Sequence, residues 1–286
     1  MTPVLYDHPG PTARIRNAVL TGVFGVALLG LAWFIYVKFD EKGQWNSALW
    51  EPFAESGTWT NFILPGLKGT LTAALTAAVL ALAFGIIFSI GRLSERWWIS
   101  APAGAIVEFC RAVPLLLMIF FLSYGMPYLI QGPFPAFWAV VVGLTLYNGS
   151  VLAEAFRAGI RAVPSGQSEA AYAVGMRKDQ VMRHILVPQA ARSMLPVIVS
   201  QLVVLLKDTA LGYIIAYPEL LQLGVNVLAA NYGNFMAATI VAAAIYIIIN
   251  SLLTLLANWL DRRTQRRGVR AGRAAKERLV TIEPQG

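Results

Sequence analysis

The sequence predicts an all-α, polytopic membrane protein with about six transmembrane helices. Composition is the first reason. Of its 286 residues 57% are apolar and 13% charged, and the mean hydropathy is +0.60, a balance that excludes a soluble domain of this size. The second reason is the length of the uncharged runs: residues 17–37 and 69–91 carry no charge, and each crosses ~30 Å of hydrocarbon as a helix. The third is where the longer runs break. Residues 112–153 are uncharged but too long for one span, and Gln131-Gly132-Pro133-Phe134-Pro135 divides them with a turn at the membrane edge. Residues 220–260 likewise hold one span plus a segment bearing Asn226, Asn231, Tyr232, Gly233 and Asn234. Helices are therefore expected near 17–38, 67–92, 100–129, 135–161, 190–216 and 235–260.

Taken in order, the first eleven residues are rich in Pro and Gly and read as a tail. The first helix is too long for the apolar core of a secretory signal and lacks a small-residue cleavage site, so it is expected to remain as an anchor. Trp45, Trp50 and Trp59 follow, and aromatics of this kind suit the membrane–water boundary. Pro65-Gly66 opens the second span, where Ala73, Ala74, Ala77, Ala78 and Ala81 allow helices to approach closely in lipid. The third span carries Glu108, Arg111 and Pro114. As one straight helix from Ser100, a rise of ~1.5 Å per residue places Arg111 about 16 Å into the bilayer, with Glu108 at i−3 to neutralise it. A charge there costs at least ~2.5–3.5 kcal/mol, so Arg111 should face a partner or a watered path; ionic pairing and cargo contact account for it equally. Pro114 interrupts helix hydrogen bonding and predicts a kink.

In the fourth span Asn148 lies in the polar run Tyr147-Asn148-Gly149-Ser150, and Glu154 and Arg157 stand at i and i+3 near the helix end, a spacing that suits a brace first and cargo contact second. Residues 164–188 are the longest polar segment between apolar blocks and must lie in water. There Ala170, Ala173 and Val174 share one helical face, as do Val181, Met182 and Ile185, with Gly175 between them where the chain turns. This predicts a short helix–turn–helix with an apolar stripe, presented at the membrane surface. The fifth span begins at Pro188 and holds Lys207, Asp208 and Thr209. Adjacent side chains diverge by ~100° on a helix, so Lys207 and Asp208 do not simply pair with each other; they suit a transport pathway or a subunit contact, with structural pairing to other groups inside the chain as the alternative.

With a cytoplasmic N-terminus, the inside receives Arg14, Arg16, Arg92, Arg96, the group from Arg157 to Arg192 and the basic tail after Asp261, while the outside receives Lys38, Lys42 and Lys68. That asymmetry predicts both termini inside. It accounts for most of the net charge of +8, and the tail reads as a partner of anionic lipid, not of nucleic acid. A single cysteine, Cys110, and two histidines, His8 and His184, exclude a disulfide framework and a clustered metal site. No Gly-Lys dipeptide exists, so the chain has no phosphate-cradling loop. An intramembrane enzyme would need partners for Glu108, Glu154 and Asp208, yet no His lies near them. A scaffold would not need charges inside three spans.

One motif carries a resemblance. Glu169-Ala170-Ala171, three residues, Gly175, nine residues, then Ile185, Val187 and Pro188 is similar to the Glu-Ala-Ala loop in permease subunits of ATP-binding-cassette (ABC) importers, with Val187 in place of Leu. Leu67-Lys68-Gly69-Thr70-Leu71 resembles the entry to the second span in permeases for polar amino acids. Arg111-Ala112-Val113-Pro114-Leu115 resembles their Arg-Gly-Thr-Pro-Leu signature but lacks its hydroxyl. Residues 153–160 resemble Ala-Glu-x-x-Arg-x-Gly-Ile, and Lys207-Asp208-Thr209-Ala210-Leu211 resembles a further signature of those permeases. Most of the chain, including Leu5-Tyr6-Asp7, Thr58-Trp59 and residues 146–150, is similar to actinobacterial glutamate-importer permeases.

The resemblance implies a type I ABC importer transmembrane fold in a bacterial cell membrane. Glu169, Ala170, Ala171, Gly175, Ile185 and Pro188 would couple to an ATPase, and Glu108, Arg111, Pro114, Asn148, Glu154, Arg157, Lys207, Asp208 and Thr209 would serve the pathway or its pairing. It also implies two ATP-binding subunits holding ATP and Mg²⁺, a second permease subunit (identical or different), an extracellular solute-binding protein and no cofactor on this chain. The implied cargo is glutamate, with glutamine, arginine or another polar amino acid as the alternative. The expected organisation is a tail, anchor and extracellular linker over 1–66, the permease domain over 67–261 and a basic tail over 262–286.

Overall fold

The computed structural model describes residues 10–280, with side chains described as far as Leu256 and at Trp259. Every regular element among them is helical. The Leu5-Tyr6-Asp7 start and His8 lie outside the described residues, as do the side chains of the basic tail from Arg262 onward. Two compact units divide between Glu55 and Ser56.

In the first unit, helix α1 spans Pro11–Glu41, with Pro in its first turn where no N–H is needed. Its apolar residues are exposed on every side, as suits a helix whose solvent is lipid. The chain leaves α1 through Gly43 (φ 63°), whose N–H donates to Asp40 O at 2.8 Å, while Gln44 N–H donates to Phe39 O at 2.9 Å. Trp45 then stacks on Tyr36 with centroids 5.6 Å apart, and Trp50 stacks on Trp45 at 6.3 Å. Both indoles are satisfied, Trp45 by Tyr36 O and Trp50 by Gln44 O. These two tryptophans fold the linker back onto the end of α1.

The second unit opens with α2, Ser56–Arg92, which starts well before the expected residue 67. The earlier turns include a π turn at Trp59–Ile63, followed by Pro65. The same arrangement recurs at Phe121–Gly125 before Pro127 and at Met182–Leu186 before Pro188. In each case the central residue of the π turn is four before the proline. Its carbonyl is the one that proline's missing N–H and bulky ring deny an ordinary partner, and the wider turn re-aims it.

Helices α3 (Trp97–Ala112) and α4 (Leu115–Ile130) replace the single helix expected over 100–129, their axes meeting at 97°. Pro114 has no N–H to continue α3, and its carbonyl instead accepts from Met118 N–H at 3.2 Å to begin α4. Helix α5, Ala136–Arg161, follows the turn at Gln131 and is the most enclosed of the spans. Its packing against α2 is reciprocal. Gly85 of α2 lies against Leu152 and Phe156, and Gly149 of α5 lies against Phe84. Removing one side chain at each contact brings the backbones close enough for dispersion to hold helices together in lipid. The buried core, with Ala73, Ile119, Leu144, Leu152 and Leu205, therefore lies among α2, α4, α5 and the later α7.

A short helix α6, Ser165–Ala173, precedes α7, Lys178–Ile215, which starts before the expected residue 190 and tightens to a 3₁₀ turn over Thr209–Ile215. Ala216 stands in the left-handed region (φ 55°) and starts a crossover that leads to the π turn Gln222–Val227 and helix α8, Leu228–Tyr232. Helix α9, Phe235–Val280, completes the described chain. Among the described residues five helices are long and apolar enough to cross a membrane alone, and the bent α3–α4 pair makes the sixth.

Candidate coupling segment and membrane pathway

The segment with the strongest sequence pattern folds as its residues dictate. Helix α6 ends at Gly175 (φ 82°), where Gly175 N–H donates to Tyr172 O at 2.9 Å and Met176 N–H to Ala171 O at 3.1 Å. This pair of reversed bonds closes a helix on a left-handed residue, and glycine takes that conformation without a Cβ clash. The next turn is capped by Gln180, whose Oε1 accepts from Arg177 N–H at 2.8 Å. Ala171 and Val181 are buried against the body, whereas Glu169, Ala170, Ala173, Val174 and Pro188 are exposed, Val174 at 77%. Ile185 is half-buried. The stripe containing Ala170, Ala173 and Val174 therefore faces away from this chain. Lys178 pairs with Glu95 and ties the segment to the α2–α3 turn, but both groups are largely exposed and the pair is weak.

A charge cluster lies where α2, α3 and α5 meet. The guanidinium of Arg92 contacts Glu154 at 2.8 Å, close in distance though not aligned as a hydrogen bond, and donates to Glu108 at 3.3 Å. Arg157 grips the same Glu154 with two N–H groups, one of them 3.1 Å from Oε2. The expected Glu154–Arg157 brace is present. The expected Glu108–Arg111 pair is not: Glu108 turns to Arg92, and Arg111 is exposed with no carboxylate within 4.0 Å among the described residues. Both residues precede Pro114 on α3, and Glu108 is drawn instead to Arg92 where α3 packs against the end of α2. The 97° break after Ala112 sets the axis of α3 apart from that of α4, so a depth counted as if residues 100–129 were one straight span does not apply to Arg111.

A second polar layer joins α5 to α7. Asn148 is fully buried, donates to Leu144 O at 3.1 Å and accepts from Gln201 Nε2 at 2.6 Å. The carboxylate of Asp208 meets the same Asn148 side chain. Lys207 points the other way, exposed, into an open groove of about 680 Å³ lined by Leu221, Tyr246, Asn250 and Ser251. Lys207 and Asp208 thus face different surroundings, as their spacing requires. Thr209 is fully buried, and its hydroxyl donates to Leu206 O at 2.6 Å where α7 tightens. Beside the groove lies Glu219, fully buried, accepting from Leu221 N–H, Gln222 N–H and the Tyr246 hydroxyl.

Sequence reasoning passes over Arg92, Gln201, Glu219 and Tyr246. Arg92 reads as an ordinary charge at a helix end, and Gln201 and Tyr246 lie inside apolar runs with no local partner. Glu219 did leave a signal: it is the carboxylate that borders the uncharged stretch 220–260.

A bundle of broken and continuous spans with a capped helix–turn–helix projecting from it defines the membrane subunit of a transport complex. The chain belongs to the family of binding-protein-dependent transport system inner membrane components, whose model matches residues 81–266. It is similar to the glutamate transport system permease protein GluD of Corynebacterium glutamicum, 44% identical over 250 residues that cover 85% of this chain and 88% of the relative. It is also similar to the arginine transport system permease protein ArtQ of Bacillus subtilis, 32% identical over 71% of this chain and 92% of the relative. Among solved structures, an amino acid ABC transporter with histidines superposes with a TM-score of 0.68 at 28% identity, covering 72% of this chain and 95% of that one. The protein is an amino acid ABC importer permease, a multi-pass membrane component and not an enzyme.

Proposed function

We propose that this permease carries glutamate inward, by alternating access driven through residues 169–188. The observation that carries the coupling reading is the exposed face of α6. A capped helix presenting Ala170, Ala173 and Val174 to water has no use for that face within its own chain, and its geometry suits a groove on a separate ATPase. Energy then enters from two such ATP-binding subunits holding ATP and Mg²⁺, while a solute-binding protein delivers cargo from outside to this chain and a second permease subunit. The concentration of Arg and Lys on one side of the spans supports a cytoplasmic position for α6 and both termini. ATP shifts the equilibrium only to the extent that it binds the outward-open state more tightly than the inward-open one.

Glutamate is favoured by the cargo named for the Corynebacterium relative and by two cations, Arg111 and Lys207, that lack a carboxylate partner among the described residues. The arginine named for the Bacillus relative makes a basic cargo the second reading. Cells lacking this chain, restored with wild type or with Gly175→Pro, test both at once. Proline cannot adopt φ 82°, so the variant breaks the turn behind α6. Restored glutamate uptake with wild type and its loss in Gly175→Pro is the expected outcome. Restoration of arginine or glutamine uptake alone changes the cargo, and restoration of none in correctly inserted protein removes amino acid import.

A further inference from the structure

We propose that Glu219 is the positioning residue of the Lys207 groove, its carboxylate holding the groove's two walls in register; the consequence for transport rests on the reading that this groove belongs to the cargo path. The two oxygens of Glu219 receive three donors: Leu221 N–H at 2.9 Å, Gln222 N–H at 2.8 Å and Tyr246 O–H at 2.8 Å. Leu221 and Tyr246 both line the groove, one from the crossover after Ala216 and the other from α9. A single carboxylate therefore bridges the walls from behind.

The crossover is also fastened to α2. Tyr217 O–H donates to Gly69 O at 2.9 Å, and Leu220 N–H donates to Thr70 Oγ1 at 3.1 Å. The backbone of Pro218 and Glu219 lies so close to Gly66 and Gly69 that a Cβ at either position would meet it. The segment begins at Ala216, a left-handed residue with a Cβ, which holds its conformation only where the surroundings impose it. Stability alone does not call for a carboxylate here, since an apolar side chain fills buried space without the cost of removing a charge from water. What the carboxylate adds is direction: two backbone N–H groups and one hydroxyl are aimed at fixed points. Asn148, Gln201 and Asp208 form their own network, so no other buried acid near the groove takes over these three donors among the described residues.

The test uses the transporter assembled with its ATPase and binding protein in liposomes. Glu219→Gln keeps the shape but exchanges one acceptor oxygen for an NH₂ group, which then faces a donor. Two quantities are read per assembled complex: the maleimide labelling rate of Ser251→Cys in the groove wall, and Vmax and KM for uptake. Native Cys110 is buried and adds little background. With Glu219→Gln we expect labelling to rise at least about threefold and Vmax to fall about tenfold at unchanged KM, the loss expected for one charge-assisted hydrogen bond. Tyr246→Phe removes one donor, gives a smaller shift in the same direction and adds little to Glu219→Gln; it also serves if Glu219→Gln does not assemble. Wild-type labelling in both variants would overturn the proposal. Raised labelling with unaltered uptake in both Glu219→Gln and Lys207→Ala upholds the positioning role and removes the groove from the cargo path.

Discussion

At the scale of single residues, neighbouring charges are unequal because their surroundings differ. Arg92 and Glu154 are 13% and 24% exposed, whereas Glu108 is 70% exposed. Coulomb attraction is screened in the second case and much less in the first. Glu154→Gln, which leaves two guanidinium groups facing a neutral amide, should lower the unfolding temperature of the purified protein by roughly 3–6 °C. Glu108→Gln should change it by under about 1 °C. Melting curves of the two variants in one detergent decide the ranking, and equal losses would mean that Glu108 carries more than its exposure allows. Gly175 illustrates a different constraint. Nothing lies near the space a Cβ would occupy there, so its requirement is set wholly by φ.

Among the elements, α6 allows the proposed coupling role to be tested apart from stability. Val174 is exposed and contributes little to the fold, so Val174→Asp should leave the melting temperature within about 1 °C. The same change should cut substrate-stimulated ATP hydrolysis by at least about tenfold, because a charge would be pressed into an apolar docking surface. A substrate-stimulated rate equal to wild type would show that this face of α6 is not the docking face. How much was legible in the sequence follows a similar division. The turn at Gly175 and the Glu154–Arg157 brace depend on neighbours within a few residues, and spacing reveals them. The 97° break after α3 is only half legible: Pro114 marks where α3 must stop, but the direction of α4 depends on contacts such as Ile119 against Gly143, brought together by the fold. Arg92 with Glu108, Asn148 with Gln201 and Glu219 with Tyr246 join separate elements, and no local periodicity encodes such partners.

For the whole molecule, orientation is the property on which every coupling argument rests. In intact cells a membrane-impermeant maleimide should label Gly132→Cys, at the turn before α5, and should label Gly166→Cys in α6 only after permeabilisation. A Cβ at Gly166 meets nothing within this chain and one at Gly132 only the Ile130 carbonyl oxygen at 3.9 Å, an ordinary contact, so neither substitution disturbs packing. The reverse pattern would invert the topology and place α6 where no ATPase can reach it. The charge cluster at the junction of α2, α3 and α5 has an electrical consequence of its own. Arg92 and Arg157 balance Glu108 and Glu154, so the four form a neutral cluster that carries no net charge if it moves as one. Each unbalanced elementary charge carried through the membrane field would do work of ~2.3 kcal/mol per 100 mV. The quartet does none, however far it travels between conformations, and the adjacent charges of Lys207 and Asp208 also cancel. Arg111 and the Glu219 carboxylate have no counter-charge beside them among the described residues, so voltage would act on a rearrangement of the spans through those two groups and the charge of the cargo, and not through the quartet.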